Sequence, residues 1–352
     1  MKKITNKVLL ISPYLHIMGG GEQHILSILK VFDQHGFACD IVSEDENILK
    51  KLSTAHKITF NHARIVQEIP QGVGYEYCLY VTDGSYFFPK AQKTFVFLMY
   101  PKKELLPHGI INMIKTRGYR FFANGVFTAE KNARFIHKDI AVIHPYIDEA
   151  FFNPPTQKKQ IILSVGRFFP HLHSKRQDVL VQAFELLQSK NAAFSKYSLI
   201  LAGGLSESKE DQDYMKVLKD VTAKNSSISI KTNLNSSEIL KLYKSANFYW
   251  HAAGYGLDES RHPEGVEHLG ITPLEAMASG SIVFCHNSGG PKRYIQDGFN
   301  GYIYETIEDL VDKTSTAEKI NNNSIRENGI EYVRENFSKE VFTKKIEEYF
   351  GL

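Results

Sequence analysis

The feature that most constrains this chain is a repeated alternation. Apolar runs of strand length stand at residues 8–12, 39–43, 76–81, 94–99, 119–123 and 140–144, and again at 161–165, 197–202, 228–230, 248–250, 282–284 and 302–304. Between them lie stretches with apolar residues at helical spacing, such as Ile25, Leu26, Ile28, Leu29 and Phe32. That spacing puts one apolar stripe on a helix. A strand such as Val8-Leu9-Leu10-Ile11-Ser12, with no polar alternation, is buried on both faces. Strands of this kind joined by helices form open, mostly parallel sheets with helices on both sides. Such sheets bind ligands beyond the carboxyl ends of their strands, so chemistry is to be sought in the residues that follow each run.

A length of 352 residues predicts two domains of ordinary size. The break Asn153-Pro154-Pro155-Thr156 separates the two sets of strands and predicts the linker. The expected domains are residues 1–153 and 154–336, with a closing helix at 337–352. A net charge of +3 argues against a nucleic-acid binder. Hydrophobic and charged fractions of 43% and 23% are those of a soluble globular protein. The basic start, Met1-Lys2-Lys3-Ile4-Thr5-Asn6-Lys7, leads into an apolar run too short for a signal peptide, and no stretch approaches the roughly 18 apolar residues of a membrane span. Cys39, Cys78 and Cys285 lie in or beside strand-like runs without metal spacing, which predicts buried, reduced thiols and a cytoplasmic setting. The Asn-x-Ser sites at Asn225 and Asn235 then carry no glycosylation meaning.

Within the second half, Glu267 and Glu275 bracket seven residues, His268-Leu269-Gly270-Ile271-Thr272-Pro273-Leu274. Thr272 reads as an N-cap, Pro273 as the first helical residue and Glu275 as the partner in a capping box. The following Ala276-Met277-Ala278-Ser279-Gly280 is small and apolar, hence a buried helix stopped by glycine. The positive end of that helix would face a loop holding Gly270 and the carboxylate of Glu267, an arrangement that binds phosphates. A capping glutamate and a solvated loop acid would account for the same two residues.

The run from Glu267 to Gly280 resembles the signature of the retaining glycosyltransferases of family 4: Glu, seven residues, Glu, with glycine near the middle and Glu-Ala-Met-Ala after it. The resemblance implies an α/β GT-B fold, two Rossmann-like α/β/α domains facing a cleft, and metal-independent transfer of a hexose from a nucleotide-diphosphate sugar without a cofactor. It implies that Glu267 contacts the donor sugar and Glu275 the ribose, with the backbone of Leu269, Gly270, Ile271 and Thr272 against the donor. After the strand at 161–165 come Gly166-Arg167-Phe168 and then Lys175-Arg176-Gln177-Asp178. Two fixed cations at a strand end and a helix start are what a leaving diphosphate needs. In the family these are Arg167 and Lys175, which with Glu267 form the expected catalytic set. Arg176 stands where relatives more often have a small residue, and Arg293 where they have a glutamate. The loop through Arg261-His262-Pro263 is longer than usual and is expected to shape the donor-sugar pocket. His251, at a strand end, is a candidate sugar contact or a structural histidine.

The first half is less specific. Gly19-Gly20-Gly21-Glu22 follows the first strand, and Gly20 and Gly21 resemble the family's loop near the donor phosphates. The rival is a dinucleotide-binding fingerprint with Glu44 or Glu46 as the ribose acid, but His24 fills its third glycine position. Asp83-Gly84-Ser85 is a turn, or, through Asp83 and Ser85, an acceptor contact. Phe97 and Met99 occupy the strand where relatives carry a polar residue, so no base is assigned there. Asp211-Gln212-Asp213 opens an amphipathic helix and is not read as a metal site; no metal is expected.

Between residues 102 and 138, Lys102, Lys103, Lys115, Arg117, Arg120, Lys131, Arg134 and Lys138 oppose only Glu104 and Glu130, interleaved with Ile110, Ile111, Met113 and Ile114. Such a surface suits an anionic membrane face or a lipid-diphosphate acceptor; a solvated helix face is the plainer reading. The expected partners are a nucleotide-sugar donor and a saccharide or lipid-linked acceptor of cell-surface polysaccharide synthesis, with no nucleic acid. The expected location is cytoplasmic, at most peripheral on the inner membrane face. A GT-B sugar-nucleotide epimerase, a nucleotide-cofactor oxidoreductase and a non-catalytic sugar-nucleotide binder are the alternatives. Product analysis, cofactor titration and turnover separate them.

Overall fold

The computed structural model describes residues 6–69, 74–136, 138–155, 157–171, 174–320 and 323–352. Met1 to Thr5 of the basic start and Thr156 of the proline-rich break lie outside the described residues. The chain divides into two compact units, one of Met1–Pro145 with Glu340–Leu352 and one of Tyr146–Lys339.

The first unit holds β1 (Lys7–Ile11), β2 (Ala38–Val42), β3 (Ala63–Val66), β4 (Tyr75–Val81), β5 (Ala91–Leu98), β6 (Arg120–Ala123) and β7 (Ile140–Val142). They form one sheet in the order β3-β2-β1-β4-β5-β6-β7. Every pairing is parallel. Its helices are α1 (Gly20–Gln34), α2 (Ile48–His56), α3 (Gly109–Lys115) and α4 (Val126–Ala133). β3 is not foreseen from the sequence. It is a four-residue edge strand with no fully buried position, so it lacks the continuous apolar run of a central strand. It is fastened by Arg64, whose guanidinium donates to both oxygens of buried Asp40 at 2.7 and 3.2 Å.

The second unit holds β8 (Lys159–Val165), β9 (Ser198–Gly203), β10 (Ile228–Thr232), β11 (Ala246–His251), β12 (Ile282–His286) and β13 (Tyr302–Tyr304). The order is β10-β9-β8-β11-β12-β13, again all parallel. Its helices are α5 (Gln177–Lys190), α6 (Lys209–Thr222), α7 (Ser236–Ser245), α8 (Ile271–Ala278), α9 (Ile307–Lys319) and α10 (Asn323–Phe337). One core under the sheet centres on Leu180, Phe184, Phe248 and Trp250. The other centres on Leu163, Tyr249, Leu274 and Met277. The unit begins at Tyr146, earlier than the prolines mark. Ile147 and Phe152 belong to the second core, and the Ile147 amide donates to Phe337 O at 2.8 Å. Asn153-Pro154-Pro155 lies inside this unit, with Asn153 left-handed at φ 73°.

The last helix, α11 (Lys339–Phe350), packs on the first unit. The Phe350 ring lies 4.5 Å from that of Phe95, and Tyr77 Oη donates to Phe350 O at 3.2 Å. His24 is buried between α1, β5 and α11, with its ring 5.2 Å from Phe97 and 5.9 Å from Phe342. An imidazole fills the helix–sheet contact where a dinucleotide fold needs a glycine. Burial, with a smaller contribution from nearby His144, lowers its pKa from 6.5 to about 3. The folded state therefore refuses a proton that the unfolded state takes up, so stability is complete above 6.5 and is lost as the pH falls from 6.5 towards 3. Urea unfolding is expected to show about 2 kcal/mol less stability near pH 5 than near pH 7 from this residue, at about 1.4 kcal/mol per pH unit. His24→Leu is expected to flatten that dependence, and an equally steep profile in the variant would refute the assignment.

Candidate active site

β8 and β11 are neighbours in the second sheet, so the residues that follow them emerge side by side at its carboxyl edge. β8 runs into Gly166 and Arg167, and β11 ends on His251. Lys175 precedes α5, and Glu267 lies in the loop before α8. Lys175 Nζ donates to Glu267 Oε2 at 2.5 Å. His251 Nε2 lies 3.1 Å from that same oxygen, which fixes Nε2 as the protonated nitrogen. His251 is 2% exposed and each of the other two side chains 16%, so the trio is held out of bulk water. Burial by itself would raise the Glu267 carboxyl. Lys175 and His251 outweigh it and hold the group well below the usual carboxylate range. Burial lowers the His251 pKa against the pull of Glu267, so near neutral pH the trio is a Lys–Glu ion pair braced by a neutral imidazole.

Close backbone packing makes this arrangement possible. A Cβ on Gly166 would stand 2.5 Å from Lys175 Cγ, so glycine is what lets the lysine stem cross the strand end. The Gly290 amide donates to Glu267 O at 2.7 Å. A Cβ on Gly289, whose φ is +65°, would stand 2.0 Å from Glu267 O. The Gly289-Gly290 pair thus seats against the backbone of the Glu267 loop.

The expected cap of α8 does not form. Gly270 is the N-cap, left-handed at φ 84°, and no side chain caps the helix. Tyr294 Oη donates to Gly270 O at 3.0 Å and holds the turn. The helix therefore starts at Ile271, with Thr272 second, Pro273 third and Glu275 fifth, and no capping box exists. The glycine turn, which β-carbon residues adopt only at a cost, takes the place of a side-chain cap. Leu269 is buried in the core, while Ile271 and Thr272 are partly exposed.

Glu275 does not join Glu267. Burial pushes its carboxyl up to about 7, against the nearby Tyr243 hydroxyl and with a smaller push from Asp148. Tyr243 is fully buried, and its hydroxyl faces this carboxyl without a bond of good geometry. Arg167 is exposed, with its guanidinium 4.8 Å above the Phe169 ring. In the first unit, Gly21 packs against Met99, while a side chain on Gly20 would meet only open space. Asp83 Oδ1 accepts from Ser85 N at 2.9 Å and Ser85 Oγ at 2.6 Å, a self-contained turn joined by Tyr80.

Residues outside the expected catalytic set brace the loops of the second unit. Arg176, left-handed at φ 48°, donates to both oxygens of Asp178 at 3.1 Å and to Tyr255 O at 2.7 Å. This ties down the long loop after β11. Glu259 pins the same loop further on, accepting from Gly289 N at 2.8 Å and Lys292 Nζ at 2.7 Å. Ser174 and Arg176, the neighbours of Lys175, line a cavity of about 480 Å³ with Asp178, Tyr214, Tyr255 and His262. The length of the loop hinted at this cavity, but its partners lie far apart in the chain and carry no local signal.

The sequence and the fold resemble those of known proteins. The chain is 25% identical over 279 residues to the Rhizomucor pusillus alpha-1,3/1,6-mannosyltransferase ALG2, covering 70% of this chain and 59% of that one. It is 29% identical over 186 residues to the Mus musculus GDP-Man:Man(3)GlcNAc(2)-PP-Dol alpha-1,2-mannosyltransferase, covering 49% of this chain and 35% of that one. The chain thus spans little more than half, or less, of the length of these curated relatives. A glycosyltransferase structure from Rickettsia africae ESF-5 matches with a TM-score of 0.74 at 18% identity, over 98% of both chains. The Anabaena Alr3699/HepE structure in complex with UDP and glucose matches with a TM-score of 0.69 at 15% identity, over 99% of both. The architecture is that of the GT-B glycosyltransferases. The sequence model described as glycosyl transferases group 1 matches residues 147–336, more than half of the chain, and the protein belongs to that family.

Proposed function

We propose that this protein is a hexosyltransferase that moves mannose from GDP-mannose to a lipid-linked saccharide, with retention at the anomeric carbon and without a metal. The observation that carries the reading is the buried trio of Lys175, Glu267 and His251 at the carboxyl edge of a parallel sheet. The choice of GDP-mannose and of a lipid-linked acceptor rests on the relatives, whose names specify mannosyl transfer and, in one case, GDP-Man and a PP-Dol oligosaccharide.

In this reading Glu267 Oε1 accepts a hydroxyl of the donor sugar while Oε2 stays bonded to Lys175 and His251. The Lys175 ammonium and the exposed Arg167 guanidinium face the diphosphate. As the bond from the anomeric carbon to the phosphate oxygen breaks, negative charge grows on the leaving group and these two cations stabilise it. The first turn of α8, which has no side-chain cap, contributes free N–H groups of the kind that bind phosphate. The ribose diol bonds to Glu275, and two donated hydrogen bonds draw that carboxyl back to its ionised form. The acceptor hydroxyl attacks on the face the diphosphate leaves, and the leaving phosphate oxygen takes its proton. The trio orients and stabilises; no side chain is assigned as a nucleophile.

The test is nucleotide release from a panel of GDP-, UDP- and ADP-sugars with EDTA present. GDP is expected from GDP-mannose, slowly with water and faster with a lipid-linked saccharide. Arg167→Ala is expected to lower release at least about 100-fold, since it removes a charged contact made in the transition state. Binding to no donor, or binding to a dinucleotide instead, would overturn the reading.

A further inference from the structure

We propose that α3 of the first unit is a docking face for an anionic lipid bilayer. Ile110, Ile111, Met113 and Ile114 are 78%, 68%, 64% and 62% exposed. They are four of the seven residues of the helix. Their positions, i, i+1, i+3 and i+4, share one side of it. Phe88, 61% exposed, extends the patch, with Lys115 Nζ 5.9 Å from its ring. A soluble surface scatters large apolar residues singly, and a contiguous group marks an interface.

The helix is braced from beneath, so the face is presented in a fixed form. Lys115 Nζ donates to Tyr86 O at 2.8 Å. Tyr119 Oη donates to Phe87 O at 2.6 Å. Lys138 Nζ donates to Thr116 O at 2.5 Å, and to Arg117 O and Tyr119 O at 3.3 Å, closing the carboxyl end of α3. Lys138, counted in the sequence as part of a basic surface, is therefore spent on the fold.

Charge selects the occupant. Between Asp83 and Glu130 the one acidic residue is Glu104. Lys93 is paired with Glu76 and Lys115 braces the helix, but Lys90, Lys102, Lys103, Arg117 and Arg120 fall in the same span, and Lys90, Lys103, Arg117 and Arg120 are exposed. Two copies meeting through this face would bring like charges together. A layer of phospholipid phosphates supplies both an apolar interior for the isoleucines and anions for the cations. No helix among the described residues is long and apolar enough to cross a membrane, so the contact is one of a short helix lying in the interface. It stands apart from the donor assignment, and it places the chain where a lipid-linked acceptor resides.

The test is flotation of the full chain with phosphatidylcholine vesicles, with and without phosphatidylglycerol. Binding is expected only with phosphatidylglycerol and is expected to weaken with salt. The double variants Ile111→Asp with Ile114→Asp, and Lys90→Glu with Arg117→Glu, are each expected to bind at least about tenfold more weakly. Thermal melting unchanged from the parent would show that both remain folded. No binding to phosphatidylglycerol vesicles at low salt, or binding undiminished in both variants, overturns the proposal. So does self-association that Ile111→Asp abolishes in a chain that ignores vesicles, since the occupant would then be a second copy. None of these readouts depends on glycosyl transfer.

Discussion

Glu267→Ala is expected to lower donor turnover at least about 100-fold, a loss of roughly 2.7 kcal/mol of transition-state stabilisation. The variant removes more than one sugar contact. Lys175 loses the carboxylate that positions it, and an ammonium without its partner swings away. That takes a cation from the leaving diphosphate. Glu267→Gln separates the effects. It keeps the shape and a hydrogen-bonding oxygen but loses the charge, so it is expected to retain donor binding better than turnover. The measurement is nucleotide release under single-turnover conditions, alongside donor affinity from calorimetry. A folded Glu267→Ala protein with near-parental rates would remove the trio from the mechanism.

Gly289→Ala is expected to be a severely damaging change in the second unit. The added Cβ would lie 2.0 Å from Glu267 O, and the residue sits at φ +65°. Neither problem can be relieved by a side-chain rotation, because the obstacle is backbone and the left-handed conformation is intrinsic to the turn. The Glu267 loop must move, and with it the carboxylate that Lys175 and His251 hold. A stability loss of about 3 kcal/mol is expected, at the upper end of ordinary point mutations. Turnover is expected to fall even at temperatures where the variant stays folded. Gly298→Ala is the control: it also has a positive φ, of 74°, but its Cβ would meet nothing within 4 Å. It should show the backbone cost without the loss of turnover. Equal turnover in both variants would show that the Glu267 loop tolerates displacement.

Most of the fold could be read in the residues because burial on both faces writes itself as continuous apolar runs. Each such run is a strand of one of the two sheets. β3 escaped because an edge strand of four part-exposed residues needs no such run. The start of α8 was misplaced for a different reason. Thr272, Pro273 and Glu275 satisfy every local rule for a cap, yet Gly270 forms the turn, because Tyr294, 24 positions on, fixes its carbonyl. Local chemistry proposed one solution and a distant hydroxyl stabilised another.

The sequence by itself determined the class of architecture, the strand ends where chemistry must lie, and the residue types available there, since periodicity and glycine placement are local properties. Through the resemblance it also put Lys175 and Glu267 in one expected catalytic set. The tertiary structure added that the two are directly ion-paired, on the carboxylate oxygen that His251 shares. Lys175 and Glu267 are 92 positions apart and His251 and Glu267 are 16 apart, and no periodicity encodes a contact across that span. The roles of charged side chains follow from those contacts. Lys138 looked like surface charge and became a cap, while Ile110, Ile111, Met113 and Ile114, read with it as part of a basic surface, do remain outside. Hydrophobic pattern is set along the chain, but burial and charge pairing are set by what the folded backbone brings near.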